Sequence, residues 1–352
     1  MIKVAKTAGF CYGVKRAVNS VYDEIKNGTK LATLGALIHN PQVIGDLAEK
    51  GVIAYDNPDD IPDGYTIVIR AHGIGKETYD KIRNRPHIDL TCPFVEKIHK
   101  IVSEYHNKGY GIVIVGDKNH PEVKGINGWC GNSALVIYDI NEQIDEKFSK
   151  KPVCVVAQTT IKREIFSQIV QNVKKTCKST LIFDTICSAT KDRQTETAAL
   201  SEESDCMIVI GGRESSNTRK LFEIAKERCG EAYHIETYEE IPQKSYNKIG
   251  ITAGASTPHR IIEEVVKAMS ENLQKEENFA ELFEQYSSKT LNNGDVVEGT
   301  VVEVRNNEVI VDLGGFKYNG QLAADQLTDD PSLKPSDVVK EGDTIKVYVV
   351  GV

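Results

Sequence analysis

The sequence contains no apolar run near the roughly 20 residues that a membrane-spanning helix needs. It has no Cys-x-x-Cys pair, which removes the local ligand pair of structural zinc sites and zinc deaminases. The net charge of -8 gives no general attraction to nucleic acid or anionic lipid. The N-terminal stretch lacks a basic region followed by a long apolar core, so we expect no signal peptide and a cytoplasmic location with reduced thiols. These absences predict a globular protein that holds any anion with local groups.

Three of the eight cysteines share one setting, because each stands directly before an amphipathic segment that predicts a helix. They are Cys11 in AGFCYGVKRAV, Cys92 in DLTCPFVEKIHK and Cys187 in FDTICSATKDRQ. The free N–H groups and the dipole at a helix N-terminus favour a thiolate. We therefore predict depressed thiol pKa values and metal-ligand roles for these three residues.

An internal repeat connects the three cysteines. The spacing is 81 positions from Cys11 to Cys92 and 95 from Cys92 to Cys187. The same two spacings separate the glycines of LATLGALIHN, GIVIVGDKNH and CMIVIGGRESSN, namely Gly35, Gly116 and Gly211. Two independent landmarks thus share one period with a single insertion.

A third series supports the repeat. Strand-like runs enter the loops VIRAHGIG, VVAQTTIK and ITAGASTP, and their Ala71, Gln158 and Ala253 are separated by 87 and 95 positions. The alternation of strands, Gly-bearing loops and helices predicts an α/β fold with parallel sheets. We expect three related lobes in a pseudo-threefold arrangement, at roughly 1–90, 91–186 and 187–270, with function at the strand ends.

A threefold arrangement would bring three thiolates together. Zinc could accept three Cys and a water, but the wide spacing along the chain is more typical of an iron–sulfur cluster. A [4Fe-4S] cluster normally has four Cys ligands, so three would leave one iron open to a substrate oxygen. The sequence therefore predicts one catalytic [4Fe-4S] cluster per chain.

Residues 1–269 resemble the 4-hydroxy-3-methylbut-2-enyl diphosphate reductases of the non-mevalonate isoprenoid route. The motifs that carry the resemblance are, in order, GFCYGVKRAV, IHNPQV, RAHG, TCPFV, HPEVKG, AQTT, TICSAT, SSNTRKL and TAGAS. The resemblance implies three α/β lobes around a [4Fe-4S] cluster held by Cys11, Cys92 and Cys187. It also implies reductive removal of an allylic hydroxyl, which yields isopentenyl and dimethylallyl diphosphate with electrons from a ferredoxin or flavodoxin.

The resemblance also implies roles for individual side chains. Glu122 would supply the proton that lets the hydroxyl leave as water, and Thr159 would position the substrate oxygen. A mainly neutral set of donors would surround the diphosphate: His39, His72, His120, Ser215, Ser216, Asn217 and Ser256. The three histidines all follow predicted strands at Gly-bearing loops, which favours function over the surface role of a single loop histidine.

Other functions stay open at this point. A zinc hydrolase could use His120 and Glu122, and metal analysis would then find zinc without sulfide-bound iron. An iron–sulfur hydro-lyase would dehydrate its substrate without an electron donor, so assays with and without reductant separate it from a reductase. An RNA-binding protein with a vestigial enzyme would bind RNA with a steep salt dependence.

The C-terminal part differs in composition. The charged stretch 271–291 predicts a helical linker, and from Asn292 four β-rich runs follow: VVEGTVVEV, EVIVDLG, KYNGQL and TIKVYVVGV. Residues 292–352 resemble the OB-fold RNA-binding repeat of the largest protein of the small ribosomal subunit. Four strands are one fewer than an OB barrel requires, so we expect a truncated barrel.

The chemistry of this segment disfavours RNA binding. From Asn292 onward, eleven acidic and five basic side chains give a charge of -6, whereas a surface that follows a phosphate backbone should be positive. Its aromatic residues are Phe316, Tyr318 and Tyr348, with Gln321 where such repeats often carry an aromatic. A structural role is at least as strongly indicated.

Overall fold

A computed structural model describes residues 1–244, 246–272, 291–314, 316, 319–328, 330 and 333–351. Most of the predicted helical linker at 271–291, and Tyr318, lie outside the described residues. Within the described ranges, no helix is long and apolar enough to cross a membrane.

The chain alternates strands and helices through its first 272 residues and is β-rich after residue 291. The strands are β1 Ile2–Val4, β2 Leu31–Leu34, β3 Ile53–Tyr55, β4 Thr66–Ile69, β5 His87–Asp89, β6 Gly111–Val115, β7 Leu135–Ile137, β8 Val153–Ala157, β9 Thr180–Ile182, β10 Cys206–Ile210, β11 Glu231–Ile235, β12 Ile249–Ala253, β13 Val296–Val304, β14 Glu308–Asp312, β15 Gly320–Ala323 and β16 Thr344–Tyr348. The helices are α1 Tyr12–Lys26, α2 Pro41–Glu49, α3 Lys76–Ile82, α4 Pro93–Asn107, α5 Pro121–Gly128, α6 Glu146–Ser149, α7 Arg163–Thr176, α8 Ser188–Glu202, α9 Ser216–Arg228, α10 His259–Asn272 and α11 Pro335–Val338.

Three parallel four-stranded sheets share one strand order. The orders are β3-β2-β4-β5, β7-β6-β8-β9 and β11-β10-β12-β1. Central strands such as VCVVA and CMIVI are buried along their whole length, as expected for sheets that helices cover on both faces. The predicted three-lobed α/β fold is confirmed.

The boundaries of the lobes differ from the predicted ones. Strand β1 pairs with β12, with Ile2 opposite Ile249, so the N-terminal strand belongs to the third sheet and not to a first lobe at 1–90. The apolar Ile2 is only 5% exposed there, which shows that the short IKV run fills the edge beside β12. The first strand of the chain is therefore an edge strand of the third sheet.

Helices hold each sheet from both sides. In the third lobe, Ile262 and Val265 of α10 pack on one face, and Leu200 of α8 and Leu221 of α9 pack on the other. Full burial of one such side chain contributes about 1.5–3 kcal/mol, so two apolar layers per lobe fix the strands firmly. The loops at the carboxyl ends of the strands are thus carried on a rigid frame.

The C-terminal β-domain is an antiparallel sheet with the order β15-β14-β13-β16. Its core includes Val301, Val309 and Val311. All four predicted strands are present, and the described residues of this domain contain no fifth one.

Candidate active site

The three predicted ligand cysteines occupy equivalent positions. Cys11, Cys92 and Cys187 are the N-cap residues of α1, α4 and α8, and each has extended backbone dihedral angles. Each of these helices follows the fourth strand of one sheet, namely β1, β5 or β9. The predicted placement at helix N-termini is confirmed.

Backbone hydrogen bonds tie the three cysteines to the loops of the third repeat series. The amide of each cysteine donates to a carbonyl just after β12, β4 or β8. The pairs are Cys11 with Ala255 at 3.1 Å, Cys92 with Ala71 at 3.0 Å and Cys187 with Thr159 at 3.1 Å. One hydrogen-bond pattern used three times brings the three thiols to a common centre.

The predicted depression of the thiol pKa values is wrong for two of the cysteines. Burial raises the pKa of the Cys187 thiol to about 12 and shifts the pKa of Cys92 still further upward. The neighbouring thiols add to both upward shifts, and the backbone N–H groups of the helices offset them only in part. Desolvation therefore outweighs the helix dipole, and these thiols would ionise only against a bound cation.

Gly13 keeps the space beside one of these sulfurs open. A Cβ atom at Gly13 would lie 2.7 Å from the Sγ atom of Cys92, closer than any real contact of this kind. Only glycine therefore lets the first turn of α1 approach this thiol. Three convergent thiols and this close approach fit a compact group held by sulfur.

Glu122 and Thr159 form a buried pair. The Thr159 hydroxyl donates to Oε2 of Glu122 at 2.7 Å, and the Thr159 amide donates to Oε1 at 2.7 Å. Glu122 is only 2% exposed, and burial raises the pKa of its carboxyl although both hydrogen bonds act in the opposite direction. A carboxyl group with a raised pKa can hold a proton near neutral pH.

His39, His72 and His120 form a cluster of imidazoles. The ring centroids of His39 and His72 are 4.5 Å apart, and each lies 5.5 Å from the ring of His120. Burial lowers the pKa of all three, to about 4 for His120, and nearby cations including Arg70 add to the effect. Nδ1 of His120 accepts the Glu122 amide at 3.2 Å, as a neutral ring does.

The SSN segment begins α9 beside this cluster. Ser215 is the N-cap residue and accepts from the Thr218 amide at 3.3 Å, while Ser216 Oγ lies 3.0 Å from Thr160 Oγ1. Asn217 is buried, and neither polar atom of its side chain has a hydrogen-bond partner among the described residues. A buried amide with both polar atoms unpaired is available to hydrogen-bond a polar ligand.

A single cavity unites these groups. It has an empty volume of about 750 Å³, and all of the sequence-predicted site residues line it. They are Cys11, His39, His72, Cys92, His120, Glu122, Thr159, Cys187, Ser215, Ser216, Asn217 and Ser256. Within it, the three thiols form one group and the three histidines form another, which we call the two ends of the cavity. Glu122 and Thr159 line the same cavity.

The sequence analysis missed two arginines near the cysteines, the buried Arg193 and the half-buried Arg16. Arg193 donates to the carbonyls of Gly9 at 2.7 Å and Ala189 at 3.0 Å, and Arg16 donates to the carbonyl of Thr91 at 2.5 Å. Both lower the pKa of a nearby thiol, although burial dominates there. The sequence could have indicated both arginines, because each stands one to two turns into a helix that starts at a cysteine.

Two protein families account for nearly the whole chain. Residues 2–270 match the LytB protein family, and residues 290–352 match the S1 RNA binding domain. The first match covers the three lobes and the cavity, and the second covers the C-terminal β-domain.

Similar proteins carry one name. The 4-hydroxy-3-methylbut-2-enyl diphosphate reductase of Clostridium tetani is 42% identical over 99% of this chain and 55% of its own length. The reductase of the same name from Clostridioides difficile is 47% identical over 77% of this chain and 99% of its own length. The chain thus spans about half the length of the C. tetani relative and nearly all of the C. difficile one.

Solved structures with the same fold include two reductases. One is described as the (E)-4-hydroxy-3-methyl-but-2-enyl diphosphate reductase that ends the non-mevalonate pathway, with 39% identity and a TM-score of 0.58 over 77% of this chain and 99% of that chain. The other is the E-1-hydroxy-2-methyl-but-2-enyl-4-diphosphate reductase of Plasmodium falciparum, with 29% identity and a TM-score of 0.70 over 77% of this chain and 88% of that chain. With a LytB match over the whole three-lobed part, the chain belongs to the LytB family.

Proposed function

We propose that this chain is a 4-hydroxy-3-methylbut-2-enyl diphosphate reductase. It would remove the allylic hydroxyl of its substrate reductively and release isopentenyl and dimethylallyl diphosphate. The observation that carries the proposal is the convergence of three cysteine thiols, one protonatable carboxyl and a set of neutral donors on one cavity. No single lobe contains this set, so the three-lobed frame exists to assemble it.

Cys11, Cys92 and Cys187 would hold one [4Fe-4S] cluster. Such a cluster supplies electrons one at a time and an open iron that acts as a Lewis acid on a substrate oxygen. The high pKa values of Cys92 and Cys187 support this role, because buried thiols become thiolates only when a metal centre compensates their charge. Gly13 keeps the Cys92 sulfur accessible from α1.

Glu122 would deliver the proton that allows the hydroxyl oxygen to leave as water. Burial favours its protonated form, and Thr159 fixes both carboxyl oxygens. The Thr159 hydroxyl is a donor to Glu122 and can also accept a hydrogen bond, so it can orient a substrate hydroxyl toward the same carboxyl. The pair thus moves a proton at a fixed position in the cavity.

The opposite end of the cavity would bind the diphosphate. His120 and Ser215 are the N-caps of α5 and α9, and His39 directly precedes Asn40, the N-cap of α2. Three helix N-termini there present backbone N–H groups, which favour an anion without full positive charge. Ser256 donates to the His39 carbonyl at 3.1 Å and holds that loop in place.

The electron donor would be a small iron–sulfur or flavin protein of the ferredoxin or flavodoxin type. The reaction consumes two electrons per turnover, and the three cysteines of the cavity would be engaged as cluster ligands, so the electrons must come from a separate reductant. A reduced donor protein, or dithionite with a viologen dye, should therefore be required for product formation. Turnover without reductant would favour the hydro-lyase instead.

The S1 match suggests RNA as a second ligand, but the charge and the aromatic residues of the C-terminal segment disfavour RNA as the main partner. The segment from Asn292 carries a charge of -6. Phe316 packs against the core of the β-domain, whereas Tyr348 is 64% exposed. Filter binding with single-stranded RNA at low and physiological salt would test whether RNA is a partner. A submicromolar dissociation constant at physiological salt would contradict our expectation of weak RNA binding.

Metal analysis tests the central proposal. Protein purified without oxygen should contain about four iron and four sulfide per chain and absorb visible light. In Cys11→Ala, Cys92→Ala and Cys187→Ala the iron content and turnover should collapse, whereas Cys154→Ala, a buried cysteine outside the cavity, should keep both. One zinc per chain without sulfide would instead favour a hydrolase that uses His120 and Glu122.

A further inference from the structure

The outer face of the C-terminal β-domain is buried although it points away from the core of that domain. Successive side chains of a strand face opposite sides, and Val301, Val309 and Val311 form the inner core. Val302 and Ile310 therefore face outward, yet they are only 3% and 5% exposed. A partner outside the β-domain must cover them.

That partner is the reductase part of the same chain. Val302 and Ile310 form an apolar cluster with Tyr12 of α1 and Phe94 of α4. The pairing of β13 with β14 shifts register between Val301 and Glu303, which marks a bulge at this point. Bulges re-aim side chains, and here both Val302 and Glu303 face the reductase.

Polar contacts surround this apolar centre. They are Tyr12 Oη donating to Glu303 Oε2 at 3.2 Å, Lys15 Nζ donating to the Phe316 carbonyl at 2.7 Å, and an ion pair of Lys97 with Glu341 at 3.9 Å. An apolar centre with a polar rim is the usual arrangement of a specific protein interface. The contact thus has the character of a docked interface between two domains.

The position of this interface connects it to the cysteines. Tyr12 directly follows Cys11, and Phe94 stands two residues after Cys92 and lines the cavity. The β-domain therefore rests on the first turns of α1 and α4, the helices that begin at two of the three cysteines.

We propose that the C-terminal β-domain is a built-in cover for the cluster end of the cavity, and that its docking slows the access of water and dioxygen to Cys11 and Cys92. The proposal rests on the proposed function, since it assumes a cluster at these cysteines. While the domain is docked, the face that carries Val302 and Ile310 is closed to any other partner.

Two variants of the full chain would undock the cover. Val302→Glu and Ile310→Glu each place a carboxylate against Tyr12 and Phe94. The matched control is Val296→Glu, on the same strand but 64% exposed. Ile310→Ala is a milder variant that removes contact area without adding charge, and it should shift each measurement in the same direction by less.

Hydrogen exchange on the chain without cluster gives the first measurement. The amides of Lys15 and Glu96, which donate to the carbonyls of Cys11 and Cys92 at 2.9 Å and close the first turns of α1 and α4, should exchange about tenfold faster in the two Glu variants. That is the ratio that ~1.4 kcal/mol of lost docking free energy gives. They should be unchanged in Val296→Glu. Protection of the β13 and β14 amides in the same data shows that the domain is still folded. Unchanged exchange in α1 and α4 in all variants would overturn the docking.

The loaded protein gives the second measurement. Anaerobically prepared samples are opened to air, and the decay of the visible absorption is followed. Decay should be several-fold faster in Val302→Glu and Ile310→Glu than in the unaltered chain and Val296→Glu. Faster exchange with equal decay would overturn the covering role. An unaltered chain that never takes up iron would instead refute the proposed function.

Discussion

The two ends of the cavity use the same frame in opposite ways. At the cluster end, the three lobes supply the same residue, cysteine, in the same place with the same backbone hydrogen bond. At the diphosphate end, equivalent helix starts carry different side chains, with His120 at one N-cap, Ser215 at another and His39 beside a third. A compact cluster calls for repeated ligands, whereas an elongated substrate with distinct ends does not. The pseudo-threefold symmetry is therefore kept where the proposed cofactor would bind and broken where the proposed substrate would bind.

Glu122 lines the same cavity as the cysteines and the histidines, and its removal should have the largest effect on turnover. Glu122→Gln preserves the shape: its one amide oxygen can accept from the Thr159 amide, and the Thr159 hydroxyl can turn to accept from the Gln NH2 group. That NH2 group is not acidic enough to protonate a leaving oxygen. We expect kcat to fall by about 10²–10⁴-fold, the usual contribution of a general acid. Single-turnover kinetics with reduced protein would measure this effect.

The control for this variant is its own cluster and substrate binding. Iron content, visible spectrum and substrate affinity should stay close to those of the unaltered chain, because Glu122 is neither a thiol ligand nor part of the histidine cluster. A variant with full kcat would remove Glu122 from the mechanism. Loss of iron would show that the carboxyl has a structural role.

A substitution at the proposed diphosphate end should weaken substrate binding and leave the chemical step nearly unchanged. Nε2 of His39 is buried and has no hydrogen-bond partner among the described residues, so it is available to a ligand. A hydrogen bond to a charged group contributes about 1.5–3 kcal/mol, so His39→Ala should weaken diphosphate binding roughly 10- to 150-fold. Calorimetric titration with substrate or inorganic diphosphate would measure the loss.

His106→Ala is the matched control for this variant, since His106 lies in the last turn of α4, outside the cavity. Its diphosphate affinity and kcat should be unchanged. An equal loss of affinity in both variants would mean that the change at His39 acts through general destabilisation. A fall in kcat alone would move His39 from substrate binding to the chemical step.

The sequence predicted the symmetric end of the cavity better than the chemistry there. Spacings of 81 and 95 located Cys11, Cys92 and Cys187, because a repeated backbone position leaves a repeated landmark. The shift of the thiol pKa was predicted with the wrong sign for Cys92 and Cys187, because burial depends on contacts from distant segments and the helix start alone is visible in the sequence. Local motifs therefore reveal position, and only the packed structure reveals the dielectric environment.

Contacts between segments that are far apart in the chain could not be predicted from the sequence either. The three residues of β1 are too few to show that they pair with β12, almost 250 positions away. The docking of Val302 and Ile310 on Tyr12 was hidden for a related reason. The sequence shows that a strand carries apolar residues on both faces, but it does not show which part of the chain covers the outer face.

A third expected effect concerns the stability of the histidine cluster in acid. The pKa of His120 is lowered from 6.5 to about 4 by burial and by its neighbours, so its neutral form is the one that the fold favours. A depressed pKa contributes stability that is present above pH 6.5 and is lost as the pH falls toward 4, by about 3 kcal/mol in all for a shift of this size. The melting temperature of the chain should therefore fall steadily over this window.

His120→Asn separates this titration from the structural role of the residue. Asn is a strong N-cap residue and can accept the Glu122 amide as His120 does, but it has no charge to gain. Its melting temperature should decline less between pH 6.5 and 4 than that of the unaltered chain. The raised pKa of Glu122 acts in the opposite direction, since its stability is present at low pH and lost as pH rises, and it is common to both proteins. Parallel melting curves would show that the pKa of His120 is the same in the folded and the unfolded chain, so that burial does not hold this ring neutral as the pH falls.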